Sequence, residues 1–542
     1  MVGRSLDLAR PSVPGRGAPR GLAAAVCLAL GAVLTPSMIA AQYPGLPPPP
    51  PCHPQANSDL RTVADRALAG RTLAVVALQN SSSSASDTFL APALTERLVA
   101  RLREANTRPV IETRKFGVEQ LSTPQAARAV AEAVGASHLL AGTVRRAPQG
   151  GAVAISLRVI RAADGRVEWT AARETDLGSM PGVLRELARD ALRALGDRRA
   201  MDSPDGRWRD PRSAAAYEHY LRGIASAREA TSAGWSEAVT QLDSATRVDP
   251  TFAPAFSRLA QAYASMLYWG WWDYTPAQRD ALARRGLDAA ASGLRLDASL
   301  SGALAARGAL LVFRGPRDEA DARAAMRRAV AANPRDAAAR HWYGRVLMLL
   351  GEDAAARGEL NEALRLAPRS PLVLYDLALL LRNGGDVDGA CRMLDSAIAV
   401  DPLVAPPYAL RALVRLPGGQ LRYAWADAEI AGRLGWRRWS EAVSAVVDAR
   451  ARDTTSARDR VKQLMASRSA SGAGTPDWSG PYVMIALATL GNRAAALDAL
   501  KRTGASGALR EFALRPPELR SLRAGRDAGR RGKEGPPSAG SP

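Results

Sequence analysis

Cysteine, histidine and aromatic residues are scarce in this sequence. Three Cys and four His occur among 542 residues, and Phe, Trp and Tyr together make up 5%. The histidines form no His-Glu-x-x-His pair and the cysteines form no cluster, which argues against a zinc site. Phosphate-binding loops of the GxxxxGK[ST] type and GxSxG nucleophile elbows are also missing. We therefore expect no cofactor, no metal and no catalysis.

The three cysteines are too isolated to form a disulfide framework. Cys27 lies in an N-terminal apolar run, Cys52 in a proline run and Cys391 on a predicted helix. A bridge between Cys52 and Cys391 is one alternative. The sequence favours two unpaired thiols, one of them buried.

The balance of charge is strongly positive, with a net charge of +20 at pH 7. Nucleic acid, an anionic membrane or an acidic envelope polymer would each suit such a charge. The arginines, however, are scattered among Asp and Glu at helical spacing and form no single basic block. We interpret most of them as solvated helix faces and expect no specific nucleic-acid binding. A regulatory protein that binds an anionic partner is the alternative function.

The N-terminus has the pattern of an export signal. Arginines precede an apolar run at 21–34, which is shorter than the roughly 20 residues that a membrane-spanning helix needs. Pro36 then breaks the helix, and small residues up to Ala41 offer a cleavage site. We predict a signal peptide over 1–41, a location in the periplasm or cell envelope, and no transmembrane domain after cleavage. An uncleaved inner-membrane anchor is the alternative.

An α/β pattern follows a proline-rich tether at 42–69. A continuous apolar run at 73–78 predicts a buried strand, and an amphipathic helix follows it. Further strands are predicted at 109–112, 137–147, 153–162 and 166–175, the last two joined by an Asp-Gly turn. The predicted order is β-α-β-α-β-β-β-α, which makes one small domain over 70–198. A polar linker follows at 199–212.

From residue 213 the sequence repeats with the 34-residue period of tetratricopeptide (TPR) helix pairs. The prolines that end three successive pairs, Pro334, Pro368 and Pro402, are 34 residues apart. Small residues recur where paired helices cross, and larger residues fill the space between them. We predict about seven helix pairs over 213–505, with an eighth between Trp439 and Met465 as an alternative. A cap segment at 506–522 and a disordered basic tail at 523–542 complete the predicted chain.

Several short motifs, taken in order, resemble the TolB-N-terminal-like α/β domain of bacterial TPR proteins. They are Asn-Ser at 80–81, Leu-Thr at 94–95, Gly-Thr-Val-Arg-Arg at 142–146, and a hairpin that ends in Trp169. The resemblance implies a multidomain protein in which a small mixed-sheet domain precedes an all-α TPR solenoid. Many such relatives carry a DNA-binding, kinase or cyclase domain where this sequence has the signal and the tether.

The first helix of each TPR pair lines a concave surface on which partners can bind. In the two best repeats these positions form a predicted groove that includes His341, Arg345, Tyr375, Asp376, Arg382 and Asn383. We expect the groove to bind a protein or peptide; a solvated face without a ligand is the alternative. The predicted function is an exported scaffold or adaptor of the cell envelope. An enzyme that acts on cell-wall polymer is a third hypothesis.

One stretch, at 266–278, is unusually aromatic and reads MLYWGWWDYTPAQ. Its last four residues, Thr-Pro-Ala-Gln, predict the start of a helix. We therefore expect an aromatic insertion between the two helices of one pair, packed against a neighbouring pair or the α/β domain. Trp271 and Trp272 are the candidate contacts, and ligand stacking on either ring is the alternative.

Overall fold

The computed structural model describes residues 49–52, 72–105, 110–147, 151–197, 210–270, 274–470, 480–502, 507–520 and 522. The predicted signal peptide, most of the tether and linker, Trp271, Trp272 and the basic tail therefore lie outside the described residues. The described chain forms a small mixed-sheet domain followed by an array of helices.

The α/β domain follows the predicted element order, with one short strand added. Its elements are β1 (Leu73–Val76), β2 (Gln79–Asn80), α1 (Leu90–Ala105), β3 (Val110–Thr113), α2 (Pro124–Val134), β4 (His138–Arg146), β5 (Ala152–Arg161), β6 (Val167–Asp176) and α3 (Met180–Ala194). The strand order in the sheet is β3-β1-β4-β5-β6, and β2 pairs with β4. A two-residue strand such as β2 is too short to show a period of its own in the sequence.

Strand direction follows from the connections between the strands. Helices α1 and α2 connect β1, β3 and β4, which run parallel, whereas connections of a few residues join β4, β5 and β6, which run antiparallel. Helices α1 and α3 pack on one face of the sheet and α2 packs on the other. Because both faces of β1 are covered, all four of its residues are buried.

Eight helix pairs can be counted in the described part of the array. The helices are α4 (Ala214–Ala227), α5 (Ser232–Val248), α6 (Ala253–Gly270), α7 (Pro276–Leu296), α8 (Ser301–Arg314), α9 (Glu319–Ala332), α10 (Ala337–Leu350), α11 (Asp353–Leu366), α12 (Pro371–Gly384), α13 (Val387–Val400), α14 (Ala405–Arg415), α15 (Leu421–Ala431), α16 (Arg437–Arg450), α17 (Thr454–Ala470), α18 (Gly480–Thr489) and α19 (Arg493–Arg502). A shorter helix, α20 (Gly507–Ala513), comes after them. The pair α16–α17 lies where the sequence allowed an eighth pair.

Steric fit explains the 34-residue repeat. A Cβ atom on Gly344 of α10 would lie 2.7 Å from Cγ of Leu360 on α11, so the two helices cross at a distance that leaves no room for a larger residue at position 344. The turns between paired helices contain Gly351, Gly385 and Gly419, which recur every 34 residues and have φ values of 89°, 93° and 68°. Glycine adopts this left-handed conformation without steric cost. The repeated sequence thus specifies repeated helix crossings and turns.

The aromatic stretch differs from its prediction. Helix α6 continues to Gly270, so Tyr268 and Trp269 lie within the helix and not in an insertion. The residues before Gly270 include no helix breaker, and burial of their large side chains stabilises the extended helix. The predicted helix start is present: Thr275 and Gln278 form a capping box at the beginning of α7.

The tether is bonded covalently to the array. Cys52 and Cys391 form a disulfide with a Cα–Cα distance of 5.7 Å, so the expectation of two unpaired thiols was wrong. The guanidinium of Arg415 donates a hydrogen bond to the backbone carbonyl of Pro50 beside it. A separation of 339 residues between the two cysteines hides this proximity in the sequence.

Removal of this bridge should destabilise the protein. A cross-link that spans most of the folded chain restricts the unfolded state, and such bonds typically contribute about 2–4 kcal/mol. We expect Cys391→Ser to lower the free energy of unfolding in urea by about that amount. Reductant should lower the stability of the parent chain to the same level and leave the variant unchanged. An equal response of both proteins to reductant would contradict the prediction.

Candidate protein-interaction surface

Three residues of the predicted groove meet in the interior of the array. The carboxylate of Asp376, on α12, accepts hydrogen bonds from Nε2 of His341 at 2.6 Å and from Nε of Arg345 at 2.6 Å, both on α10. Its other oxygen accepts a hydrogen bond from the hydroxyl of Tyr268 on α6 at 2.8 Å. Asp376 is 0% exposed. Donors from α10 and from α6 thus bind the two oxygens of this carboxylate.

The charges of this cluster depend on one another. Burial alone would raise the pKa of Asp376, but Arg345 and His341 hold it below its ordinary value. Burial and the charge of Arg345 lower the pKa of His341, which favours the neutral ring. Burial and the nearby Asp376 carboxylate raise the pKa of Tyr268 well above its usual range. The stable state is an ion pair between Asp376 and Arg345, flanked by two neutral donors.

Aromatic rings enclose the ion pair. The Arg345 guanidinium carbon lies 4.2 Å from the ring centroid of Tyr268, 5.3 Å from that of Trp269 and 5.2 Å from that of Trp342. A cation above an aromatic face is attracted by the ring quadrupole, most strongly when both are desolvated. The attraction to the rings thus offsets part of the free-energy cost of removing Arg345 from water.

Further rings continue the aromatic cluster across the array. The ring centroids of Trp269 and Trp436 are 5.3 Å apart, and those of Trp436 and Trp439 are 4.2 Å apart. The ring centroid of Trp439 lies 4.5 Å from that of Tyr482 on α18. Trp436 also donates a hydrogen bond from Nε1 to the carbonyl of Ala230, between α4 and α5. Helices from early and late pairs therefore pack against one another, and this part of the interior is a filled core.

The other three residues of the predicted groove lie on α12. Tyr375 is buried beside Trp269, with ring centroids 5.5 Å apart. The side-chain oxygen of Asn383 is buried without a hydrogen-bond partner in the part of the chain that the structure describes. Arg382 is buried and binds Glu518, with 2.6 Å from Nη2 to each carboxylate oxygen. Arg382 thus contacts a segment from outside the helix pairs.

Arginine ion pairs also attach the α/β domain to the start of the array. Arg228, just after α4, pairs with Glu96 of α1 at 3.1 Å and with Glu112 of β3. Arg258 of α6 pairs with the second oxygen of Glu96 at 2.5 Å. Burial alone would raise the pKa of Glu96, but Arg258 and Arg228 lower it to about 2. These contacts join Glu96 and Glu112 of the α/β domain to the end of α4 and to α6.

The same domain contacts the middle of the array. Arg114, which follows β3, pairs with Asp401 at the end of α13. Arg369, between α11 and α12, donates a hydrogen bond to the carbonyl of Ala133 on α2 at 3.3 Å. The α/β domain therefore bridges the first and the fifth helix pairs. The ion pairs use several of the arginines behind the positive net charge, which the sequence had assigned to solvated faces.

Glu96 should make stability depend on pH. Its pKa is about 2 in the folded chain, below the ordinary value of 4.5. Its ionised form therefore stabilises the fold above about pH 4.5, and this contribution, on the order of 3 kcal/mol, is lost as pH falls towards 2. We expect urea midpoints at pH 7, 4 and 3 to fall less steeply for Glu96→Gln than for the parent. Glu132→Gln, on the exposed side of α2, should follow the parent. A parallel fall for Glu96→Gln would refute the coupling.

Two properties of the described residues bear on other functions. No group of three or more His, Cys, Asp or Glu side chains is placed there to hold a metal ion. None of the helices that the structure describes has both the length and the hydropathy needed to cross a membrane.

No protein-family model and no curated protein matches the sequence. Solved structures are similar to its helical part. The APC/C hetero-tetramer Cut9–Hcn1 is 13% identical with a TM-score of 0.40, and the match covers 62% of this chain and 63% of that chain, less than two thirds of its length. Yeast Tom70 is 11% identical with a TM-score of 0.37, over 61% of this chain and 68% of that one. A thermophilic TPR protein of Thermus thermophilus is 20% identical with a TM-score of 0.32, over 37% and 100%. At these scores the likenesses carry no argument about partners.

Proposed function

We propose that this chain is an exported scaffold or adaptor that binds a protein or peptide through its TPR-like array, without catalysis. One observation supports the proposal most directly. The array already accommodates a non-repeat chain segment, in which Glu518 binds the buried Arg382 and Leu519 is fully buried. A surface that takes up one such segment has the shape and charge to take up another.

The α/β domain, which we propose to be TolB-N-terminal-like, supports this role by fixing the shape of the array. Its ion pairs with Arg228, Arg258 and Asp401 connect helix pairs that are far apart in sequence. A binding surface held in one shape loses less conformational entropy when a partner binds. Export is proposed from residues 1–41, and N-terminal sequencing of the mature protein should then begin at Gln42.

Crosslinking in the native envelope tests the proposal. A photo-crosslinking residue at position 343, on α10 beside the surface around Phe512, should give a discrete adduct with a protein. The same residue at the exposed position 248, at the end of α5, serves as the matched control. If neither the array nor the α/β domain yields a reproducible protein adduct, the scaffold proposal fails.

A further inference from the structure

The C-terminal segment, residues 507–522, lies over helices that are far behind it in the sequence. Arg515 contacts Met348, 167 residues earlier, and Glu518 contacts Arg382, 136 residues earlier. In a solenoid each repeat ordinarily contacts only its neighbours. The segment instead contacts α10 through α20 and Arg515, then α12 through Glu518, and α18 through residues 517–519.

Apolar side chains seat this segment on the array. Leu509, Leu514 and Leu519 are all buried. Phe512 packs against a cluster that includes Leu347 of α10 and Leu380 of α12. Burial of several large side chains in one short segment indicates a specific fit and not a loose association.

Polar contacts fix the register of the segment. Nη1 of Arg515 donates hydrogen bonds to the carbonyl of Met348 at 3.2 Å and to the carboxylate of Asp353 at 2.6 Å. The Met348 carbonyl lies in the last turn of α10, where the helix dipole favours a cation. Three residues further on, both oxygens of Glu518 meet Arg382, and these two side chains are 6% and 5% exposed.

The chemistry of the segment is that of a bound peptide. After α20 the backbone is extended at Pro516, with φ −49° and ψ 137°, and residues 517–519 then form one 3-10 turn that contains Glu518. A buried ion pair adds little net stability because both charges lose their hydration, but it selects strongly against ligands that lack the matching charge. Arg382 and Glu518 thus supply specificity that a purely apolar cap would not need.

We propose that the surface formed by the C-terminal ends of α10 and α12 and by α18 is the peptide-binding site of the array, held shut by the C-terminal segment. Its partner is a peptide of the same chemistry, with an acidic residue in a short, proline-containing turn between leucines. In this chain that stretch reads LRPPEL, residues 514–519. The inference rests on the proposed function and adds both the ligand class and a self-blocked state.

The test uses the full chain with a protease site in place of residues 503–506, just before the C-terminal segment. The probe is a fluorescent synthetic peptide of residues 507–522, and its anisotropy reports binding. The uncut chain should bind at least tenfold more weakly than the chain that is cut and dialysed. A Glu518→Gln peptide should bind the cut chain at least tenfold more weakly than the parent peptide. Arg382→Gln in the cut chain should have the same effect, whereas Arg365→Gln, in an exposed pair on α11, should have none.

Three results would overturn the inference. Equal binding to cut and uncut chains, or equal binding of a scrambled peptide, would show that the segment does not occupy a specific site. Failure of the cut segment to dissociate without unfolding of the array would show that it is a structural cap. In each case, a crosslinked partner at position 343 would leave the scaffold proposal standing. Conversely, tight binding of the peptide to the cut chain, without a crosslinked partner for either the uncut or the cut chain, would support the self-blocked site and contradict the scaffold proposal.

Discussion

Asp376→Asn is expected to lower the free energy of unfolding by about 3–5 kcal/mol. The substitution keeps the size of the side chain but removes the charge that neutralises Arg345, and loss of one partner from a buried ion pair typically has a cost of this size. Arg345 has no route to water, since it is 4% exposed and lies among the rings of Tyr268, Trp269 and Trp342. Urea denaturation followed by circular dichroism measures the change.

A surface carboxylate provides the matched control. Asp243 pairs with Arg247 one helical turn away on α5, and both side chains are largely exposed. Asp243→Asn should therefore change stability by less than about 1 kcal/mol. Tyr268→Phe should fall between the two, at about 1–3 kcal/mol, because it leaves one hydrogen bond of Asp376 unmade while the ion pair persists. If Asp376→Asn were as mild as the control, the cluster would be hydrated and open to ligands.

The local parts of this structure could be predicted from the sequence. Periods of two and of about 3.6 residues indicated the strands and helices of the α/β domain, and residues typical of helix caps, Thr123 and Gly135, lie at the two ends of α2. The 34-residue spacing indicated the helix pairs because each crossing needs a small residue at a fixed position, such as Gly344 against Leu360. These features depend on residues within about one repeat of each other.

The contacts that decide what the groove contains could not be predicted. First-helix periodicity placed His341, Arg345 and Asp376 on one surface, but it did not show that Tyr268, 108 residues before Asp376, faces them. Small rotations from one repeat to the next accumulate into the curvature of a solenoid, and no single repeat encodes their sum. The Cys52–Cys391 bridge and the Arg382–Glu518 pair were hidden for the same reason.

The ring of Trp269 contacts aromatic rings from three parts of the array. Its ring centroid lies 5.1 Å from that of Tyr268, 5.5 Å from that of Tyr375 and 5.3 Å from that of Trp436. Only 8% of the residue is exposed. These partners belong to three different parts of the array, so the indole joins segments that a solenoid would otherwise leave apart. Trp269→Ala should lower the free energy of unfolding by about 3–5 kcal/mol, as truncation of a buried Trp generally does.

The same substitution should also divide the unfolding transition. With Trp269 present, early and late helix pairs are coupled through the interior, and fluorescence and circular dichroism should report one midpoint. Without it, the coupling between early and late helix pairs is weaker, and the two midpoints should separate. Trp425→Ala, at a position 39% exposed on α15, is the control and should change stability by less than about 0.5 kcal/mol.

A double-mutant cycle of Trp269→Ala with Trp436→Ala should give a coupling energy of about 0.5–3 kcal/mol. A coupling energy near zero would mean that the contact between these two rings does not connect the early and late helix pairs. Other contacts, such as those of Asp376, would then connect them.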